Sequence, residues 1–99
     1  MPTLELLWTD QAEKQFLKLR REGPKNKFIK VCKTLEDLTK HGPKYPGLRS
    51  HKYQSIKGPS GEAVWESYVE NRTAGAWRIW WMYGPRPNVI TLIKLGKHP

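Results

Sequence analysis

The chain has 99 residues, with 18 Lys and Arg against nine Asp and Glu for a formal charge of +9, and 37% of its residues are hydrophobic. That length excludes two separately cored halves, so residues 1–99 read as one domain. Five Trp, four Tyr and two Phe exclude disorder despite the charge, because each large ring removes much apolar area from water on folding.

Cys32 is the single cysteine, which excludes an intramolecular disulfide and a cysteine-based zinc site. The start, Met1 to Asp10, lacks a basic segment followed by a sustained apolar run, and no stretch elsewhere is apolar for the length of a bilayer. A soluble cytoplasmic protein without a membrane partner is expected. The charge is uneven: residues 1–13 are net −3, while 14–40 and 41–99 are each net +6. Such a surplus draws phosphate polymers or an acidic protein by Coulomb steering and counterion release, or else it only solubilises the surface.

Leu4, Leu6 and Trp8 alternate with Thr3, Glu5 and Leu7, the period of a short first strand. Asp10 with Glu13 makes a capping-box pattern, and Ala12, Phe16 and Leu19 then place one apolar stripe on a helix that ends at Gly23-Pro24. Phe28, Val31, Cys32, Leu35 and Leu38 keep helical spacing from about Lys25 to His41-Gly42-Pro43, where Gly permits a left-handed end and Pro forbids continuation. The two helices form a hairpin whose lysines at 14, 18, 25, 27, 30 and 33 are expected on a solvated outer face. After the loop Lys44–Gly47, aromatic and β-branched spans at 52–57, 63–70, 76–83 and 89–95 are divided by Gly58–Gly61, Asn71–Gly75 and Gly84–Asn88. That pattern predicts an antiparallel meander. Strand, helical hairpin and sheet together make an α+β domain.

No phosphate-binding glycine loop, nucleophile elbow or paired metal-ligand spacing occurs, and the histidines at 41, 51 and 98 are too dispersed to indicate a metal. No metal or organic cofactor is expected. RNA cleavage needs none: the 2′-hydroxyl attacks its own phosphate if a base takes its proton, cations hold the added phosphoryl charge and an acid protonates the leaving oxygen. On the 76–83 span, Trp77, Ile79, Trp81 and Tyr83 share one parity, and Arg78, Trp80 and Met82 the other. Arg78 therefore interrupts an apolar strand and must find an anion, either Glu66 or Glu70 across the hairpin or a phosphate. Glu66 and Tyr68 share a face opposite to Trp65, Ser67 and Val69; they either handle protons or are a solvated carboxylate and a half-buried ring. His98 has the range for acid or base work near neutrality, or is frayed with the terminus. Most tryptophans fit the core, but adjacent Trp80 and Trp81 must point to opposite faces, which leaves one of them as a candidate for stacking on a base.

The order of elements resembles that of the RelE/ParE superfamily of bacterial toxin–antitoxin toxins over essentially the full chain. The resemblance rests on Ser50-His51-Lys52-Tyr53-Gln54-Ser55-Ile56-Lys57-Gly58, Val64-Trp65-Glu66, Ala76-Trp77-Arg78-Ile79-Trp80-Trp81 and Lys97-His98-Pro99. The Lys-Gly before a hairpin, the aromatic-Arg-aliphatic strand and the terminal histidine are similar to the HigB and YoeB branches, whose members cut messenger RNA in the ribosomal A site. The resemblance implies a metal-independent endoribonuclease that inhibits translation. It implies Arg78 as the phosphate-stabilising residue, His98 in proton transfer and Lys57 as a base beside the scissile RNA. Gln54 stands where the YoeB branch carries its carboxylate, and Glu66 is the substitute. Arg72, Lys52, Tyr68, Tyr83 and Lys94 are the candidate RNA contacts.

The alternatives are a ParE-like inhibitor of DNA gyrase, which shares the fold and lacks the catalytic set, and a non-toxic basic RNA- or protein-binding module. Either toxin reading implies an acidic antitoxin forming a hetero-oligomer with the chain, and the RNase reading adds messenger RNA in the ribosomal A site.

Overall fold

Thr9 organises the start of the chain. Its Oγ1 accepts from the Ala12 amide at 3.1 Å and donates to the Ile93 carbonyl at 2.7 Å, so one hydroxyl both caps a helix and ties it to the far end of the sequence. In the computed structural model, which describes residues 3–99, strand β1 (Glu5–Trp8) leads through this cap into α1 (Asp10–Glu22). The cap is Thr9 rather than the expected Asp10, because only the Thr9 side chain reaches back to an unpaired amide; Asp10 and Glu13 instead place negative charge in the first turn, with Arg20 and Arg21 in the last. Met1 and Pro2, part of the N-terminal start considered above, lie outside the described residues.

Helix α2 (Lys25–Lys40) follows, and Gly42 leaves it at φ +87°, the left-handed exit expected there. A 3-10 turn (Pro46–Leu48) then delivers the chain to β2 (His51–Lys57), β3 (Ala63–Tyr68), β4 (Trp77–Tyr83) and β5 (Val89–Lys97). The sheet order is β1-β5-β4-β3-β2, antiparallel throughout except that β1 runs parallel to β5. The α+β meander is as expected. Strand β3 stops at Tyr68 rather than residue 70 because the Val69 and Glu70 amides both turn onto the Trp77 carbonyl, at 3.1 and 3.2 Å. No described helix is long and apolar enough to cross a membrane.

Both helices cover one face of the sheet. Ala12, Leu19, Val31, Leu35 and Leu38 meet Ile79, Trp81, Ile90, Leu92 and Leu95, with Phe16 bridging Trp8 and Phe28 at centroid separations of 5.0 and 5.3 Å. Leu92 and Leu95 both face the helices although they stand three positions apart. A bulge reconciles this, since Trp81 pairs with Leu92 and the preceding Trp80 with Lys94, leaving Ile93 as an extra residue. The bulge's carbonyl is the one that Thr9 holds.

The other face carries no helix, yet Val64, Trp80 and Met82 are buried on it. The β2–β3 hairpin packs on the two that belong to β4: Tyr53 meets the Trp80 ring at 5.7 Å, and a side chain on Gly58 would meet Glu62 Oε1 at 2.5 Å and Met82 Sδ at 2.8 Å. Both Trp80 and Trp81 are buried, so the expectation that one of the pair is free to stack on a base is corrected; the hairpin covers the first and the helices cover the second.

Candidate active site

Register arranges the uncovered face as rows across the strands. His51 pairs with Glu66, Glu66 with Trp80 and Trp80 with Lys94; in the adjacent row Tyr68 pairs with Arg78 and Arg78 with Gly96. The glycine leaves room above Arg78, and two residues further His98 is held by its own amide, which donates to the Ala76 carbonyl at 2.8 Å. The tail is therefore anchored rather than frayed at this point.

Glu66 is 1% exposed, which removes the alternative of a solvated carboxylate. His51 Nε2 lies 2.8 Å from its Oε1 and His98 Nε2 lies 3.5 Å from its Oε2. The other nitrogen of His51, Nδ1, sits 2.9 Å from the Arg49 carbonyl. The imidazole thus bridges the Arg49 carbonyl and the Glu66 carboxyl group through its two nitrogens. His51 was not among the sequence-selected site residues.

Arg78 is 8% exposed and pairs with neither carboxylate proposed for it. Its Nη1 donates to the Glu70 and Trp77 carbonyls, the latter at 3.1 Å, and its guanidinium lies 3.7 Å from the Tyr68 ring centroid. No internal ion pair forms, since each acid faces other groups, although Glu66 Oε2 accepts no hydrogen bond among the described residues. Glu66 faces the two histidines, and Glu70 accepts from Lys27 at 2.7 Å, Lys30 at 3.3 Å and the Trp77 amide at 3.2 Å. These bonds, Lys27 first, hold the Glu70 carboxyl below the usual carboxylate range against the opposing effect of burial. They also correct the expectation of a wholly solvated lysine face on the hairpin. Arg78 Nε is buried without a hydrogen-bond partner among the described residues, so a cation stands at this face with its charge unmatched.

Tyr68 is half-buried between Arg78 and His51, whose ring meets it edge-on at 5.8 Å. Lys94 shares the face, its ammonium 4.6 Å from the Trp80 ring centroid. The remaining candidates stand apart. Lys57 pairs with Ala63 at the hairpin end of β2, Arg72 is exposed in the β3–β4 turn at φ +62°, and Lys52 and Tyr83 take the opposite parity, beside Trp65. Two surface recesses of about 300 and 490 Å³ lie against α2 and α1; Tyr68 borders the first, and neither is lined by Glu66, Arg78 or His98. The cluster thus occupies an open sheet face, a shape suited to a polymer more than to an enclosed small molecule. Among the described residues, no three His, Cys, Asp or Glu side chains are grouped to hold a metal ion.

No protein-family model matches the sequence, and no curated protein matches it. Solved structures do match. The YoeB dimer from Staphylococcus aureus superposes with a TM-score of 0.71 at 13% identity, covering 98% of this chain and 99% of that one. The YoeB/ParE toxin from Agrobacterium tumefaciens gives 0.70 at 14% identity over 97% and 100%. The archaeal RelE in complex with RelB from Pyrococcus horikoshii OT3 gives 0.65 at 15% over 96% and 94%. The α+β architecture of this chain is that of the RelE, YoeB and ParE toxins.

Proposed function

We propose that this chain is the toxin of a toxin–antitoxin pair and an endoribonuclease that cuts messenger RNA on the ribosome. One observation carries the reading: a buried Glu66 flanked by two imidazoles lies diagonal, across a single strand pair, to a buried arginine that no acid neutralises. Glu66 accepts the proton of the RNA 2′-hydroxyl, whose oxygen bonds to the adjacent phosphorus. Arg78 stabilises the charge that accumulates on the phosphoryl oxygens. His98 protonates the 5′ oxygen as its bond to phosphorus breaks, leaving a 2′,3′-cyclic phosphate and a 5′-hydroxyl. Tyr68 and Lys94 contact the RNA on the same face. Lys57 and Arg72 extend the positive track at its margins, and Lys52 and Tyr83 serve only RNA that wraps around the sheet edge. An acidic antitoxin is the protein partner that a +9 chain fits; the RelE neighbour is itself a complex with RelB.

Induced expression in a bacterial host, with transcriptome-wide mapping of new 5′ ends, tests the proposal against an Arg78→Ala, His98→Ala double variant. Growth arrest with new ends at fixed codon positions, lost in the variant, is the expected result. Arrest with intact messages would replace RNA cleavage by a gyrase-type target, and normal growth would leave a binding module. Glu66→Gln with undiminished cleavage would remove Glu66 as the base.

A further inference from the structure

Tyr68 has a second cation beside it. Arg49, two residues before His51, lies on the β2 side of Tyr68 just as Arg78 lies on the β4 side. Its guanidinium carbon is 6.0 Å from the ring centroid, against 3.7 Å for Arg78. Neither arginine makes an ion pair among the described residues, and Arg78 Nε is buried and unpartnered. Two guanidinium groups that share one ring repel each other unless an anion joins them.

The backbone is built to hold Arg49 there. It sits at φ +49° and ψ +38°, a left-handed conformation that side-chain-bearing residues rarely adopt, at the end of the 3-10 turn where its amide donates to the Pro46 carbonyl at 3.1 Å. Its carbonyl accepts from His51 Nδ1, and the next residue, Ser50, is bonded to buried Ser67, Oγ to Oγ, at 2.7 Å. Non-glycine residues kept in such a conformation by their surroundings concentrate at ligand clamps. We infer that Arg49 and Arg78 form a two-arginine clamp, one on each side of Tyr68, for the phosphodiester backbone of single-stranded RNA. Arg78 takes the phosphate nearest Glu66 and Arg49 the next along the strand. The clamp rests on the RNase reading for the identity of its ligand, and it adds a residue and a direction: the strand crosses β3 from the β4 side toward the 3-10 turn.

Arg49 is exposed, so its variants test the clamp without disturbing the core. The probe is a fluorescent oligoribonucleotide carrying 2′-O-methyl groups throughout, which cannot be cut because no 2′-hydroxyl is free, titrated by anisotropy from about 50 to about 200 mM salt. Arg49→Ala is expected to weaken binding about tenfold and to lower the log–log salt slope by about 0.7, the value of one single-strand phosphate contact. Arg49→Lys should restore the slope while recovering only part of the affinity, since an ammonium does not reproduce the fork of a guanidinium. Arg20→Ala, which removes another exposed charge on α1, is the control. Equal affinity and slope for Arg49→Ala and Arg20→Ala would overturn the clamp, as would native protein that does not bind the probe. A chain that binds in an Arg49-dependent way yet cuts no message would retain the clamp and lose the RNase reading. Message cutting with probe binding indifferent to Arg49 would do the reverse.

Discussion

Glu70 is where the helical hairpin holds the site in place, and replacing it with Gln isolates the charge from the shape. The substitution keeps an acceptor for the Trp77 amide and removes the anion facing Lys27 and Lys30. The Lys27 pair is partly buried, with 21% and 11% side-chain exposure, whereas Lys30 is 50% exposed. A hydrogen bond to a charged group contributes about 1.5 to 3 kcal/mol and an exposed ion pair about 0 to 1. With a neutral bond retained, the expected loss is about 2 kcal/mol at pH 7. For a domain of this size that is roughly 8 to 16 °C in Tm. The pH dependence has a fixed sign. Because the folded carboxyl titrates below its ordinary value, its contribution is complete above the unfolded value of about 4.3 and is lost as pH falls through the lower folded one. Urea unfolding of both proteins at several pH values should give a difference that is level from neutrality to about pH 5 and shrinks below about pH 4. A difference that persists undiminished in acid, or its absence at pH 7, would refute the assignment of this stability to the Glu70 charge.

Two further substitutions test the supports of the site. Ser67 is fully buried, accepts from Trp81 Nε1 at 2.7 Å and bonds Ser50; Ser67→Ala orphans a buried indole N–H and should cost about 1 to 3 kcal/mol, read by thermal unfolding. Ser67→Thr retaining native stability would not bear on this, but Ser67→Ala doing so would show that the Trp81 bond contributes nothing. Thr9→Val should cost about 2 kcal/mol, since it removes the helix cap and the donor to Ile93 together, while Thr9→Ser should cost a few tenths. Equal stability of the two variants would contradict the double role of that hydroxyl.

Parity made much of this face legible in advance. Alternation alone put Arg78 with Trp80 and Glu66 with Tyr68, and the turn residues placed the strands within a residue or two. What alternation does not contain is an interruption. Counting back from the Lys57–Ala63 pair through an unbroken ladder sets Gln54 opposite Glu66, but the irregularity between Tyr53 and Lys57 slips the register by three and brings His51 there instead. His51 was therefore invisible to a residue count, and with it the imidazole that lies 2.8 Å from Glu66. The fate of Arg78 was hidden for a different reason: its expected partners were taken by Lys27 on α2 and by two histidines distant in sequence, competitors that only the assembled fold brings into range. Arg49 lay between the loop Lys44–Gly47 and the span at 52–57, with no periodicity to mark it.

The extra residue in β5 shifts the numbering parity of the strand while leaving the alternation of its two faces intact. Before Ile93 the even-numbered Ile90 and Leu92 face the helices, and after it the odd-numbered Leu95 does, while Lys94 and Gly96 lie opposite Trp80 and Arg78 on the open face. Loss of that one residue would set Leu92 directly before Lys94 without changing their partners Trp81 and Trp80, so Leu95 would stay inward and Gly96 opposite Arg78, and the Ile93 carbonyl that the Thr9 hydroxyl holds is what would go. The bulge therefore serves the seating of α1 through Thr9, and the two faces of β5 do not depend on it.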